Sequence, residues 1–448
     1  MEKLVIIGGG LAGSEAAWQA AQRGIDVILY EMRPKLSTGA HKSGNLAELV
    51  CSNSFGSFLP NRPSGMLITE LEKLNSLLIT AAKEVKVPAG NALAVDRVLF
   101  SKLITDIISA HPRIQLIHEE IRELPDAICV IASGPLTSPS LSNSIQSFTG
   151  KDNLFFYDAI APCIDSKSVD MSIAYRASRY GRGILPKGDY VNCPFTKEQY
   201  EMFVHALVSA ERYPLKDFEL DISKGVKAGK GKFFEGCLPI EIMASRGLHT
   251  LAFGPLRPVG LHNPHTHTKP YAVVQLRQED IKGRYLGIVG FQTNLLRKEQ
   301  ERVFRLIPGL ENASFTRYGQ MHKNTYLHSP GLLHPTLQTC LTNNYFFAGQ
   351  ISGVEGYLAS IATGWVAGVN ASRFIQGKDL LIFPPDTIIG ALCHSISEPG
   401  ATLFQPVKES FGILPPVDKA PSNKNSYRNH LSQREIRTFD KYLNEKGL

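Results

Sequence analysis

The chain has 448 residues, enough for two or three lobes, and its 43% apolar and 20% charged residues exclude fibrous, collagenous and wholly disordered classes. Its 48 Lys and Arg against 41 Asp and Glu leave a net charge of +7, a mild attraction for polyanions and not the dense basic stripe of a dedicated nucleic-acid module. Seven cysteines, Cys51, Cys129, Cys163, Cys193, Cys237, Cys340 and Cys393, are scattered without a C-x-x-C pair, so neither a disulfide framework nor a zinc ribbon is expected.

In chain order, Leu4–Ile7 reads as a buried strand that runs into Gly8-Gly9-Gly10-Leu11-Ala12-Gly13. An Ala-rich amphipathic stretch from Ser14 to Gln22 reads as a helix ended by Gly24, and Val27–Tyr30 as the next strand, closing on Glu31. That is one β-α-β unit and predicts an α/β fold with a parallel sheet. Helices are predicted over Leu67–Lys83 and Val98–Ala110, with strands at Ile114–His118 and Ala127–Ala132. From about Asp165 to Gly331 the texture changes to Lys-rich, Pro/Gly-rich and alternating runs such as Tyr271–Leu276, which reads as an inserted α+β domain. The α/β texture returns at Tyr345–Gly349, a strand entering a glycine turn, and a helix is predicted over Val354–Ile375. The expected division is 1–164 and 332–405 as two parts of one Rossmann-type domain, 165–331 as the insertion, and 406–448 as a polar, helix-capable tail.

The apolar N-terminal run is too short for a signal-peptide core, and no stretch approaches the roughly 18 apolar residues of a membrane span, so a cytoplasmic protein without a membrane partner is expected.

A lone G-x-G-x-x-G is a weak signal, but here Gly8, Gly10 and Gly13 follow a strand, open a helix and precede an acidic strand end. The first glycine permits the tight turn, the second lets backbone approach a pyrophosphate, and the third lets helix press on strand. The helix N-terminus favours the phosphate charge, and Glu31 is placed to accept from the adenosine ribose. NAD and FAD share this motif. The second glycine cluster, Gly349-Gln350-Ile351-Ser352-Gly353-Val354-Glu355-Gly356, together with Ala132-Ser133-Gly134-Pro135, matches the three-part layout of glutathione-reductase-like flavoproteins and favours FAD. Candidate cofactor contacts are therefore Gly8, Gly9, Gly10, Leu11, Ala12, Gly13, Glu31, Gly349, Gln350, Gly353, Val354, Glu355 and Gly356, with Ser52 and Asn53 on the loop that follows the first β-α-β unit.

Two cysteines have unusual neighbours. Cys51 sits among small polar residues in Glu48–Phe55, and Cys237 lies in Phe234-Glu235-Gly236-Cys237-Leu238-Pro239, preceded by Lys224, Lys227, Lys230 and Lys232. Cations favour the thiolate and carboxylates oppose it, so local sequence leaves either thiol open between a buried inert residue and a nucleophile. The segments GGGLAGSEAA, ELVCSNSF, VPAGNALAVDR, ASRYGRG, NCPF, FEGCLPIE, PYAVVQLRQ, VGFQTNL, RVFRLIPGLENA, FFAGQISGVEGY and FGILPP stand in the order seen in the folate- and FAD-dependent tRNA (uracil-5-)-methyltransferase family, TrmFO, which the chain resembles over essentially its whole length.

The resemblance implies methylation of carbon-5 of the T-loop uridine, position 54, to 5-methyluridine. Methylenetetrahydrofolate would donate the carbon, and FAD reduced by NADH or NADPH the electrons. It further implies that Cys237 adds to carbon-6 of the uracil and that Cys51 removes the carbon-5 proton, which suits a pyrimidine whose carbon-5 is a poor nucleophile until the double bond is saturated. The chain departs from the family pattern in a long, basic Ser223–Lys232 stretch and in Phe195 where Met is common.

Arg284, Arg297, Lys298, Arg302 and Arg305, with Phe233, Phe234, Tyr271 and Phe291, are candidates for RNA phosphate and base contacts, although a solvated charged face over a core is the simpler expectation for any one of them. His262, His265 and His267 read as a polar loop and not a metal site, and His322 as no more than a substrate contact. Competing readings are an FAD oxidoreductase of a small metabolite, the larger flavin- and folate-dependent wobble-uridine enzyme, and a non-enzymatic flavin-binding protein.

Overall fold

A computed structural model describes residues 2–214, 238–400, 404–417 and 423–448. The strand Leu4–Ile7 occupies the middle of a five-stranded parallel sheet, ordered Tyr345–Phe347, Cys129–Ile131, Leu4–Ile7, Val27–Tyr30, Ile114–Ile117. Leu4–Ile7 and Cys129–Ile131 are buried along their whole length, as strands covered on both faces must be, which is why they read as continuous apolar runs. The edge strand Tyr345–Phe347 arrives from the far end of the chain and pairs with Cys129–Ile131.

Between them the chain leaves along Leu154–Ala159 and returns along Met321–Tyr326, two strands paired antiparallel with Asp158 opposite His322. The excursion holds a six-stranded antiparallel sheet ordered Tyr175–Ala177, Tyr190–Phe195, Ala272–Gln278, Tyr285–Ile288, Cys163–Asp165, Phe315–Arg317. Each sheet has its own apolar core, one around Leu29, Phe346 and Trp365 and one around Phe195, Phe203 and Phe291.

The helix Leu11–Gln22, which follows the glycine turn, is crossed by the helix Tyr357–Ile375. The crossing is close because Gly364 and Gly368, four residues apart and so on one face, lie against the backbone of Ala12 and Ala16; a Cβ on either would overlap it. This contact ties the N-terminal motif to the late glycine cluster.

The structure departs from the predicted elements in two places. The single helix predicted over Leu67–Lys83 is two, Pro63–Lys73 and Leu77–Glu84, parted where Asn75 takes φ +55 and Ser76 caps the second helix by accepting from the Ile79 amide. The helix predicted from Val354 begins at Tyr357, because Gly353 and Gly356 hold φ values of +92 and +100. The helix-capable C-terminal segment is a helix, Lys424–Lys446, and it packs: Leu431 and Phe439 are buried, and Phe439 and Tyr442 meet Phe383. Among the described residues no helix is long and apolar enough to cross a membrane.

Candidate active site

At the glycine turn Gly8 takes φ +103, and a Cβ there would lie 2.5 Å from the Ala132 carbonyl oxygen. A Cβ on Gly13 would overlap the Gly8 carbonyl oxygen, so helix and strand meet only because the residue is glycine. Gly10 differs: an added Cβ meets no atom within 4 Å. No side chain caps the helix that begins after it and no acidic residue stands in its first turn, so its amides are left for an anionic ligand.

Glu31, at the end of the next strand, accepts from the Gly9 amide (2.8 Å) and from the amide (2.9 Å) and Nε (2.8 Å) of Arg33. Burial pushes its carboxyl up, but the Arg33 guanidinium and the two amides outweigh this and hold it below the usual range, so it stands ionised. With Gly8, Met32, Ser133 and Thr137 it lines a narrow slot. Met32 and Thr137 also line a neighbouring cavity of about 490 Å³, and Pro135 and Leu136 carry that cavity on into a cleft of about 500 Å³. The three spaces form one track, from an acidic end at Glu31 to the cleft that contains Cys51.

That cleft is assembled from distant segments. Cys51 and Ser52 come from the loop after the first β-α-β unit, Asp158 and His322 from the paired strands, Arg277 from the second sheet, Gln350, Glu355, Gly356 and Tyr357 from the late glycine turn, and Lys408 and Glu409 from the C-terminal region. The Tyr357 hydroxyl clamps the cysteine loop: it accepts from the amides of Cys51 (3.0 Å) and Ser52 (3.1 Å) and donates to the Ser52 carbonyl (3.0 Å). Burial pushes its phenol up, so it stays neutral and can do both. Arg277 donates to Asn53 Oδ1 and Ser52 Oγ, each at 2.8 Å. The Cys51 thiol donates to the Ala159 carbonyl at 3.7 Å.

Glu355 is pushed up to about 8, first by burial, then by the charge of Asp158 and, less, of Glu409, with Lys408 opposing. It therefore holds a proton near neutral pH while its Oε2 accepts from Gln350 Nε2 at 2.7 Å. Burial also lowers His322, leaving a neutral imidazole in the cleft.

The residues singled out from sequence divide accordingly. Cys51, Ser52, Gln350, Glu355 and Gly356 line the cleft, and Gly8 and Glu31 line the slot at the other end of the track. Gly349 is held by its amide to Thr363 Oγ1 (2.9 Å) with Ala12 below it, and Gly353 faces Phe404. Val354 is buried, and Asn53, also buried, gives its amide to the carbonyls of Val95 and Gln278, so neither side chain faces the cleft.

Cys237, Phe233, Phe234 and the Ser223–Lys232 stretch lie outside the described residues. Ile240, three positions beyond Cys237, donates its amide to the carbonyl of Gln292, which lines the Cys51 cleft. Sequence reasoning missed Arg277, Tyr357, Asp158, Lys408 and Glu409; Tyr357 closes the FFAGQISGVEGY segment and Arg277 stands within PYAVVQLRQ, so both were visible as motif members without a role.

The donor set and the track fit a flavin dinucleotide: an anion-ready helix start beneath open space at Gly10, an ionised carboxylate at one end and a polar cleft at the other.

Residues 3–379 match the family model of glucose inhibited division protein A, GIDA, which defines an α/β protein of the GidA-like FAD-binding Rossmann class. Two solved structures of Aquifex aeolicus GidA share the fold: form II with TM-score 0.68 at 16% identity, over 98% of this chain and 73% of that one, and form I with 0.67 at 17%, over 99% and 76%. Within that class, this chain is 50% identical over 440 residues to the methylenetetrahydrofolate–tRNA-(uracil-5-)-methyltransferase TrmFO of Moorella thermoacetica (98% of each chain), and 51% identical over 448 residues to that of Aquifex aeolicus (100% and 98%). The chain belongs to the TrmFO family.

Proposed function

We propose that the chain methylates carbon-5 of the T-loop uridine, position 54, of transfer RNA in the cytoplasm, taking the carbon from 5,10-methylenetetrahydrofolate. The observation that carries the reading is the joining of Cys51 to the late glycine turn in one cleft, at the end of a track that begins at Glu31. Glu31 would hold the ribose end of FAD, the amides after Gly10 its pyrophosphate, and Ser52, Gln350, Glu355 and Gly356 would hold its ring end. When bound and kept reduced by NADH or NADPH, FAD would supply the electron pair that turns a transferred methylene into a methyl group.

The chain supplies the rest. Cys237 adds as thiolate to carbon-6 of the uracil, which places electron density on carbon-5 for attack on the methylene. Cys51 then takes the carbon-5 proton as the carbon–nitrogen bond to the donor breaks and its amine leaves, and hydride addition to the exocyclic methylene expels the Cys237 thiolate and restores the 5,6 double bond. Support for Cys237 in this role comes from the FEGCLPIE segment that carries it. Tyr357 and Arg277 hold the Cys51 loop against the base. Residues 165–331 are the unit that brings Arg277 to this loop, inserted between the two parts of the FAD-binding unit, 1–164 and 332–405, with 406–448 as the tail.

The test is transfer of labelled methylene from tetrahydrofolate into unmethylated tRNA by the FAD-loaded protein with a nicotinamide donor. Label is expected as T-loop 5-methyluridine, and as none in Cys51→Ala or Cys237→Ala. A protein that holds and reduces FAD yet transfers no label would instead be an oxidoreductase of a small metabolite.

A further inference from the structure

Beside the Cys51 cleft lies a wider one of about 830 Å³, and the two share Ala40, Val50 and Ile160 in their walls. One side is the start of the helix Arg97–Ala110, and the other is the turn between Ala272–Gln278 and Tyr285–Ile288 together with Arg297 and Tyr318. Its rim exposes apolar surface that the fold has no reason to leave bare: Val98 is 66% exposed, Ile281 50% and Tyr285 38%. Isolated exposed apolar residues need no explanation, but here they ring one cleft.

The charges in this cleft do not cancel. Its carboxylates are engaged within the protein: Glu279 with Arg97 (2.5 Å), Asp280 with Arg284 (2.7 Å), Glu48 with Arg33 (3.3 Å) and Asp96 with the amides of Val98 and Leu99 (both 3.1 Å). Lys42, Lys282 and Arg297 line it exposed and, among the described residues, form no ion pair with a carboxylate; Arg297 lies over the Tyr318 ring at 5.5 Å. The residues that follow Arg297 in the basic row that stands out in the sequence are the opposite case. Lys298 pairs with Glu211 (2.7 Å), Arg302 with Glu299 (2.5 Å) and Arg305 with Glu301 (3.4 Å), so its charge is largely met at home.

From this contrast we propose that the wide cleft is the docking surface for the unstacked RNA that flanks the target base, with phosphates on Lys42, Lys282 and Arg297 and bases against Val98, Ile281 and Tyr285. The inference rests on the methyltransferase reading. A base that reaches Cys51 must leave its stack, and its neighbours in the strand then lie over whatever surface adjoins the mouth of the cleft. Single-stranded RNA is held by cations for its backbone together with apolar or aromatic faces for its bases, and this cleft presents both.

The experiment measures binding of an unmodified tRNA transcript to the FAD-loaded full-length protein across a salt series, for two triple variants. Lys42→Ala/Lys282→Ala/Arg297→Ala is expected to weaken binding about tenfold or more and to lower the salt slope by about 2, since each phosphate contact on a single strand contributes about 0.7. Lys298→Ala/Arg302→Ala/Arg305→Ala is expected to change binding less than about twofold. Flavin absorbance and reduction by a nicotinamide donor report that each variant is folded, and Lys282→Glu alone, at an exposed turn position, is expected to weaken binding in the same direction. Equal binding by the first triple variant, or a larger loss in the second, overturns the inference while leaving the methyltransferase reading intact. Failure of the unaltered protein to bind the transcript removes both.

Discussion

The two ends of the track from Glu31 to Cys51 are built in different ways. The Glu31 end is centred on the motif of residues 8–33, one turn, one helix and the next strand, with Ser133 and Thr137 completing the slot, and Gly8 and Gly13 each have a local steric duty. The Cys51 cleft takes its wall from many separated stretches of chain, and its key contacts, Tyr357 to Cys51 and Arg277 to Ser52, span hundreds of residues. The first is a motif in the strict sense; the second exists only when two sheets and a crossing helix are in place. A motif of the first kind fails by a local clash, whereas a cleft of the second kind fails when a distant brace is removed.

The largest expected effect is at the assembled end. Cys51→Ala should cut methyl transfer by about 10²- to 10⁴-fold, the usual value of a positioned proton acceptor, with flavin content unchanged. Loss of flavin as well would mean that the cysteine loop belongs to cofactor retention and would blur the contrast.

At the motif end, Gly10 and Gly13 separate ligand from scaffold. Gly10→Ala adds a methyl where no protein atom lies within 4 Å, so melting should be nearly unchanged while FAD affinity falls, measured by flavin retained on dilution. Gly13→Ala should cost about 1–3 kcal/mol of stability by prying the helix from the Gly8 carbonyl, measured by denaturant unfolding. Equal behaviour of the two would break the assignment of open space at Gly10 to a pyrophosphate.

Arg277→Leu removes the donors to Asn53 and Ser52 and should cost about 1–3 kcal/mol, as for other buried acceptors left unpaired. Because the brace acts on the cysteine loop, methyl transfer should fall with FAD affinity little altered; the reverse pattern would place Arg277 at the cofactor.

The smallest and most diagnostic effect is a pH dependence. Glu355 is raised from its ordinary value of 4.5 to about 8. A raised carboxyl adds stability that is fully present below pH 4.5 and lost as the pH climbs through about 8, because the unfolded chain ionises first. Glu355→Gln should therefore flatten the fall in stability between these limits, read as melting temperature against pH. An unchanged profile would show that Asp158 or Glu409 carries the proton instead.

How much of this was legible in the sequence follows from the range of the forces. The glycine spacing, the acidic strand end and the buried strands could be read because sterics and burial act within a few residues, and the α/β class followed from them. The break at Asn75 and the late start at Tyr357 were missed because a single left-handed residue or glycine overrules an otherwise helical apolar pattern. Phe291, a candidate base contact from sequence, is instead core, and four members of the basic row are ion-paired, since neither burial nor partner choice is written along one strand of chain.

By itself, the sequence determined the nucleotide-binding turn, the order of its elements and the identity of the cysteines, each a matter of neighbours in the chain. Only the tertiary structure decided that Cys51 shares a cleft with Glu355, that Tyr357 and Arg277 hold its loop, and which cations are left without a carboxylate among the described residues. The physical reason is that desolvation, ion pairing and hydrogen-bond completion depend on groups brought together by packing, and their separation in sequence carries no trace of that distance.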